Sequence, residues 1–232
     1  AQATDLIIER RHRVVQPFIA GGRGTLLDFG CGNGAQTLLF VNDFDHVVGV
    51  DVDTSSLEQF RDAVVKRGLG TRVEVMEYDG TSIPLADASV DCAVSFEVLE
   101  HVRNERRALD ELHRVLKPGA RLAMSVPNRW WVFETHGAAL PLLKWSGVSF
   151  FTWMPKPLHD PWARARIYSR GEIAGKLRNA GFDVEQSLYI TAPMDVVTNP
   201  RVQQFLRNTV FRGDHTSVPI LSTAVLVIAS RK

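Results

Sequence analysis

The sequence predicts an α/β fold in which a mainly parallel β-sheet is covered by helices on both faces. Short, continuously apolar segments alternate with longer amphipathic segments, as expected for strands that are buried on both sides. Hydrophobic residues make up 45% and charged residues 23% of the 232 residues, which is typical of folded globular proteins. No internal repeat is present, and the length suits one full hydrophobic core, so residues 1–232 are expected to form a single domain.

The elements follow from runs of apolar residues and from helical periodicity. Strands are expected at residues 25–29, 46–50, 73–78, 90–96, 121–126, 184–190 and 224–229. Helices are expected at residues 35–41, 55–67, 104–116 and 171–180, and residues 201–207 have helical character without an assigned role. Lys117-Pro118-Gly119 predicts that the third helix stops there and is followed by a turn.

Charge and cysteine content restrict the classes of function. Lysine plus arginine number 27 and aspartate plus glutamate 26, and this balance disfavours nucleic acid as a partner. No apolar run reaches the roughly 18 residues of a membrane span, and residues 1–13 do not resemble a signal peptide. Cys31 and Cys92 form no CxxC motif, which excludes a disulfide framework and a cysteine-rich zinc site. A reducing, cytoplasmic location is therefore expected.

A glycine-rich loop follows the first predicted strand. In residues 26–34, LLDFGCGNG, glycines alternate after the strand, and glycine lets a ligand approach the backbone closely. Asp51 ends the second strand, where a carboxylate can accept hydrogen bonds from both ribose hydroxyls. The pattern predicts a pocket for an adenosine-containing cofactor. It also satisfies the dinucleotide fingerprint GxGxx(G/A), so an NAD(P)-dependent oxidoreductase stays an alternative, as does a turn without a ligand.

Residues 129–170 differ from the rest of the chain in composition. They contain all five tryptophans and nine of the twenty aromatic residues, with six lysines or arginines against two acids. Loops at the carboxyl ends of strands in open sheets tend to bind ligands, so residues 129–168 are expected to form an insert that covers the substrate. The candidate substrate-binding residues are Asn128, Trp131, His159 and Arg166. A small packed subdomain is the alternative, and contact with a lipid-like acceptor or a membrane surface also fits the composition.

Five motifs give the sequence a family resemblance. DFGCGNG, VVGVD, YDG, IPLADASVDCAVSFEVLEHV and RVLKPGARL occur in this order between residues 28 and 122. The chain thereby resembles class I S-adenosylmethionine-dependent methyltransferases, and is similar to the small-molecule branch that includes ubiquinone-biosynthesis enzymes. The resemblance is strong over residues 20–128 and weaker over 167–184. It implies a Rossmann-like, seven-stranded mixed sheet with residues 20–128 as the cofactor-binding core.

The resemblance also implies which residues hold S-adenosylmethionine. The methionine part is expected against the glycine loop, the ribose at the acid that ends the second strand, the adenine amino group at the acid after the third strand, and the methyl donor near the end of the fourth strand. The matching residues are Asp28, Gly30, Cys31, Gly32, Asp51, Val52, Asp79, Gly80, Ser95 and Phe96. Asp53 is expected to cap a helix, and a plain surface turn is the alternative for Asp79.

The expected reaction is methyl transfer to a small-molecule or lipid-linked acceptor, with O-methylation favoured. His101 is the candidate base because imidazole titrates near neutral pH, and a packing or capping role is its alternative. On a helix, Glu97, Glu100 and His101 would share one face and, with His159, could bind a divalent metal, as some relatives do. A protein that binds S-adenosylmethionine without catalysis is a further alternative. Residues 9–13, ERRHR, are expected to form a solvated helix face, and a position beside the cofactor is the alternative.

Overall fold

A computed structural model describes residues 3–19, 23–133, 138–140, 143–145, 151–154 and 162–232. Within these ranges the chain forms five α-helices and ten strands. The helices are α1 (Ala3–Ile19), α2 (Thr54–Lys66), α3 (Glu105–Val115), α4 (Arg170–Asn179) and α5 (Pro200–Asn208). The strands are β1 (Thr25–Phe29), β2 (His46–Asp51), β3 (Val73–Glu77), β4 (Val90–Phe96), β5 (Leu116–Pro127), β6 (Ala138–Leu140), β7 (Leu143–Trp145), β8 (Phe182–Thr191), β9 (His215–Thr216) and β10 (Ser222–Arg231).

Eight of these strands form one mixed sheet in the order β3-β2-β1-β4-β5-β10-β8-β9. The first five strands run parallel, and β10 lies antiparallel between β5 and β8. The strand order reverses between β1 and β4, which is where open α/β sheets form a ligand crevice outside the carboxyl ends of the strands. The predicted α/β class is confirmed. The sheet has eight strands instead of the expected seven because the two-residue strand β9 pairs with the edge strand β8.

Both faces of the sheet are buried because neighbouring strand residues point in opposite directions. In β1, Leu27 packs on the face covered by α3 and α4, and Leu26 packs on the face covered by α1 and α2. A third, smaller cluster lies beyond the end of the sheet. It contains Trp131, Ala192, Met194 and Phe211, with Phe133, Val197, Leu206 and Leu221 packed against it.

Side-chain caps fix where helices α2, α3 and α4 begin. Asp53 caps α2, as expected, by accepting hydrogen bonds from the Ser55 N–H at 3.3 Å and from the Ser56 hydroxyl at 2.6 Å. Asn104 caps α3, and a reciprocal Ser169–Glu172 capping box begins α4. These caps place the loops that precede α2 and α3 at the carboxyl edge of the sheet.

Two local predictions are wrong. The helix expected at residues 35–41 is a short 3₁₀ turn, Thr37–Leu39, since the Leu39 and Phe40 N–H groups bond three residues back. Helix α3 ends at Val115, as Lys117-Pro118-Gly119 predicts, but these three residues form an irregular part of β5 and not a separate turn. Strand pairing already begins at Leu116, and a register shift after Val90 accommodates the extra residues.

None of the helices in the described part of the chain has the length and the apolar composition of a membrane span.

Candidate functional site

Two recesses flank the glycine loop at the carboxyl ends of the central strands. The larger has a volume of about 530 Å³ and is walled by residues that follow β1, β2, β3 and β4. The smaller, about 170 Å³, lies between the loop and α1. Gly30 lines both recesses, so the glycine loop forms their common wall.

The backbone of the glycine loop is held against β2. The N–H groups of Gly30 and Cys31 both donate to the Val50 carbonyl, at 2.8 and 3.1 Å. Gly30 has a φ of +81°, and a Cβ there would collide with the Val98 side chain, so only glycine fits. Gly32 differs because a Cβ on it would meet no protein atom within 4 Å. Its backbone therefore borders open space that a ligand can fill.

Asp51 links the glycine loop to the larger recess. Its Oδ2 accepts a hydrogen bond from the Gly32 N–H at 2.8 Å, and its Oδ1 accepts one from the Asp53 N–H at 3.0 Å. Each carboxylate oxygen keeps a free lone pair for a further donor. The carboxylate lines the larger recess beside the exposed Val52, so its geometry suits two neighbouring ribose hydroxyls.

Asp79 both shapes a turn and lines the larger recess. Its Oδ1 accepts from the N–H groups of Thr81 at 2.7 Å and Ser82 at 2.8 Å, and its Oδ2 accepts from the Thr81 hydroxyl at 2.8 Å. The hydrogen bonds from Ser82 and Thr81 lower the pKa of Asp79, so the group is a carboxylate at neutral pH. Oδ2 retains acceptor capacity toward the recess, which Gly80 also lines. An adenine amino group remains the predicted donor to it.

Asp28 lies at the base of the smaller recess, with Cys31 and Phe96 in the wall. Its side chain is buried, and its Oδ2 accepts from the Thr37 hydroxyl at 2.6 Å. Burial, and secondarily the nearby charge of Asp51, raises the pKa of Asp28 to about 7. Ser95, in β4, is buried and lines neither recess. Its Oγ has no hydrogen-bond partner among the residues that the structure describes.

His101 lies on a turn that follows β4, and its half-exposed side chain lines the larger recess. Its Nε2 is 3.9 Å from Oε1 of the buried Glu100. Burial, and then the charge of Glu97, raises the pKa of Glu100 well above its ordinary value. Glu97 is held by Arg11 at 2.9 Å and by the Ser125 hydroxyl at 3.0 Å.

The expectation that Glu97, Glu100 and His101 share one helical face is wrong. Glu97 has a φ of +56°, which ends regular structure there, and residues 97–101 form a bend and a turn. The fourth candidate ligand, His159, lies outside the described residues. Among the residues that are described, no three His, Cys, Asp or Glu side chains are grouped so that they could hold a metal ion.

Comparison with known proteins agrees with this geometry. Residues 27–124, which carry the glycine loop, Asp51, Asp79 and His101, match the methyltransferase domain family. Over these residues the chain carries the domain of the class I S-adenosylmethionine-dependent methyltransferases.

Relatives and solved structures extend this assignment. A probable S-adenosylmethionine-dependent methyltransferase of Mycolicibacterium smegmatis is 31% identical over 182 residues, which is 77% of this chain and 60% of that protein. The 27-O-demethylrifamycin SV methyltransferase of Amycolatopsis mediterranei is 36% identical over 110 residues, 47% of this chain and 39% of that protein. The chain thus spans about half the length of these relatives. A solved S-adenosylmethionine-dependent methyltransferase of Mesorhizobium loti, 20% identical, shares the fold with a TM-score of 0.65 over 99% of this chain and 100% of its own.

The three candidate substrate residues that the structure describes, Asn128, Trp131 and Arg166, line neither recess, and His159 lies outside the described residues. The buried Asn128 amide donates to the carbonyls of Pro219 and Ser222, each at 2.8 Å, and so ties β5 to the start of β10. Trp131 is buried in the third cluster. The exposed Arg166 donates to the Val102 carbonyl at 2.7 Å and so fastens the turn that carries His101. The Asn128 side chain is engaged in hydrogen bonds and the Trp131 side chain in packing, and substrate contact by either residue stays a prediction.

Helix α1 contributes one arginine to the packing and another to the smaller recess. The expectation of a solvated face at residues 9–13 is wrong for Arg10, which is buried and donates to the carbonyls of Thr191, Ala192 and Phe211 at 2.6–3.0 Å. Arg11, which follows Arg10 in the same helix, lines the smaller recess. No local pattern distinguishes these arginines, because the carbonyls that bind Arg10 lie about 180 or more residues away in the sequence.

Proposed function

We propose that the protein transfers a methyl group from S-adenosylmethionine to an oxygen atom of a small-molecule or lipid-linked acceptor. One observation carries the proposal: Asp51, Asp79 and His101, which lie at or just after the carboxyl ends of β2, β3 and β4, line one recess beside the glycine loop. An oxygen acceptor is supported by the Amycolatopsis mediterranei relative, whose name describes methylation of a 27-O-demethyl compound.

The residues present fit a cationic nucleoside. The open space at Gly32 admits a ligand against bare backbone, and Asp51 and Asp79 keep acceptor capacity for hydroxyl and amino groups. Carboxylates outnumber guanidinium groups in the two recesses. The acids are Asp28, Asp51, Asp79 and Glu97, and the arginines are Arg11 and Arg103. An acidic lining attracts the positive sulfonium and ammonium groups of S-adenosylmethionine.

The same lining argues against the alternative nicotinamide cofactor. A dinucleotide places its anionic pyrophosphate at the N-terminus of an α-helix that directly follows the glycine loop. Here the residues that follow the loop form only a 3₁₀ turn, Thr37–Leu39, and the Gly32 N–H of the loop already donates to the Asp51 carboxylate. An oxidoreductase would therefore lack the feature that its cofactor needs most.

Methyl transfer to a hydroxyl oxygen requires two contributions from the protein. S-adenosylmethionine, when bound, supplies a methyl group that its sulfonium charge has already activated. The protein must then hold the acceptor in line, where positioning is worth roughly 7–11 kcal/mol at best. It must also take the proton of a hydroxyl, which a positioned base accelerates about 10²- to 10⁴-fold.

His101 is the side chain that the site offers as this base. Glu100 holds its own proton near neutral pH, because burial and Glu97 raise its pKa. The carboxylate of Glu97 is engaged by Arg11 and Ser125. His101 is half exposed in the recess, so its imidazole can meet an acceptor and later release the proton to water.

Calorimetry and turnover together test this function. S-adenosylhomocysteine should bind and NAD⁺ should not. Release of S-adenosylhomocysteine, followed across a panel of hydroxylated acceptors, should show turnover. His101→Ala should slow that turnover by about 10²- to 10⁴-fold while S-adenosylhomocysteine binds as before. His46→Ala, at an exposed position at the opposite end of β2, is the matched control. Binding of NAD⁺ alone would favour an oxidoreductase, and cofactor binding without any turnover would favour a non-catalytic binding protein.

A further inference from the structure

Helix α5 leaves its apolar side in water. It is amphipathic, yet none of its residues is fully buried. Val202 and Phe205, three residues apart on one side, are 48% and 65% exposed, and only Leu206 packs against the third cluster. An amphipathic helix normally buries such a stripe against its own protein, so this one is available for a partner.

The stripe belongs to a larger concentration of exposed apolar side chains. Twelve large hydrophobic side chains are exposed among the described residues, and six of them lie between residues 196 and 220. We call these six residues of one short segment the apolar face: Val196, Val202, Phe205, Val210, Val218 and Ile220. Single exposed hydrophobic residues are normal on a protein surface, whereas this segment holds half of those that the described residues expose, with Val202 and Phe205 adjacent on one helix side.

The charges around the apolar face indicate what kind of partner it takes. Arg201 and Arg212 are exposed, and neither forms an ion pair among the described residues. The acids of this region are already neutralised, since Asp195 pairs with Arg207 at 3.0 Å and Asp214 pairs with Arg13 at 2.7 Å. The partner surface should therefore be apolar and bordered by negative charge.

We propose that the apolar face and its two arginines bind the surface of an anionic lipid bilayer. A helix with apolar side chains on one side and arginines beside them lies in the membrane interface, with hydrocarbon under the apolar residues and lipid phosphates beside the cations. A second copy of the chain fits less well, because a symmetric contact through this face would bring like charges of the two copies together. This binding does not depend on the proposed methyl transfer.

Vesicle sedimentation of the full chain without cofactor tests the proposal. The protein should sediment with vesicles that contain phosphatidylglycerol and much less with pure phosphatidylcholine, and high salt should reduce the binding. Phe205→Asp, and separately the double variant Arg201→Glu and Arg212→Glu, should each weaken binding at least about tenfold. Val65→Asp is the matched control, since Val65 is a 76% exposed valine on the distant helix α2.

The outcomes separate this proposal from folding defects and from the proposed function. Calorimetry with S-adenosylhomocysteine on each variant shows whether its fold and cofactor site are intact. Wild-type protein that stays in solution with both vesicle types would overturn the proposal, as would Phe205→Asp binding like Val65→Asp. Sedimentation equilibrium that showed a dimer, dissociated by Phe205→Asp, would assign the face to self-association instead.

Discussion

Gly32→Ala tests whether the cofactor occupies the open space beside the glycine loop, separately from the backbone strain that the substitution introduces. Gly32 has a φ of +50°, where alanine is strained by roughly 1–2 kcal/mol. A Cβ there would meet no protein atom within 4 Å, so no clash adds to that strain. The melting temperature should therefore fall by only about 2–8 °C. The affinity for S-adenosylhomocysteine should fall at least about tenfold, or 1.4 kcal/mol, because the methyl group occupies space that the ligand needs.

Gly119→Ala is the control for this experiment. Gly119 also has a positive φ, +77°, and open space around its Cβ position, but it lines neither recess. Both variants should lose similar stability in thermal melts, and only Gly32→Ala should lose affinity in calorimetry. Equal affinities in the two variants would show that no ligand atom approaches Gly32, and the assignment of the loop as the cofactor wall would fail.

Three further predictions concern single side chains. Asp51→Asn should weaken the binding of S-adenosylhomocysteine about 10- to 100-fold by calorimetry, since an amide group replaces one acceptor oxygen. The control Asp53→Asn should leave this affinity unchanged, since asparagine caps α2 equally well. Arg10→Met should cost about 3 kcal/mol and lower the melting temperature by roughly 6–12 °C, because three buried carbonyls lose their donor. The exposed Arg13→Met should cost less than about 1 kcal/mol. Asp28→Asn should make stability less dependent on pH. Burial raises the pKa of Asp28 from 3.8 to about 7, so the folded protein keeps a proton that the unfolded chain loses, and the wild type should lose stability relative to the variant between about pH 4 and pH 7.

The parallel core could be predicted from sequence because its signal is local. Strands β1 and β4 have the bounds predicted from their mainly apolar runs, since strands buried on both faces are mostly apolar. The positions of Asp51 and Asp79 could also be predicted from a local signal. Asp51 ends β2 and Asp79 follows β3, and both strand ends lie at the same edge of the sheet. The family resemblance over residues 20–128 rested on these same motifs.

The remaining features depend on contacts between distant residues. A 3₁₀ turn and an α-helix share the apolar spacing of residues 35–41, so periodicity could not separate them. The spacing of Glu97, Glu100 and His101 suits a helix, but the positive φ at Glu97 is not visible in that pattern. Asn128 was named as a candidate substrate-binding residue, and its amide donates to carbonyls about ninety residues later, which no local pattern shows.

A crystal structure of the complex with S-adenosylhomocysteine tests the central assignment most directly. We predict electron density for the ribose at Asp51, for the adenine beside Asp79 and for the homocysteine chain along Gly30 and Gly32. Density for the ligand at any other surface, with side chains filling the space at Gly32, would contradict the account.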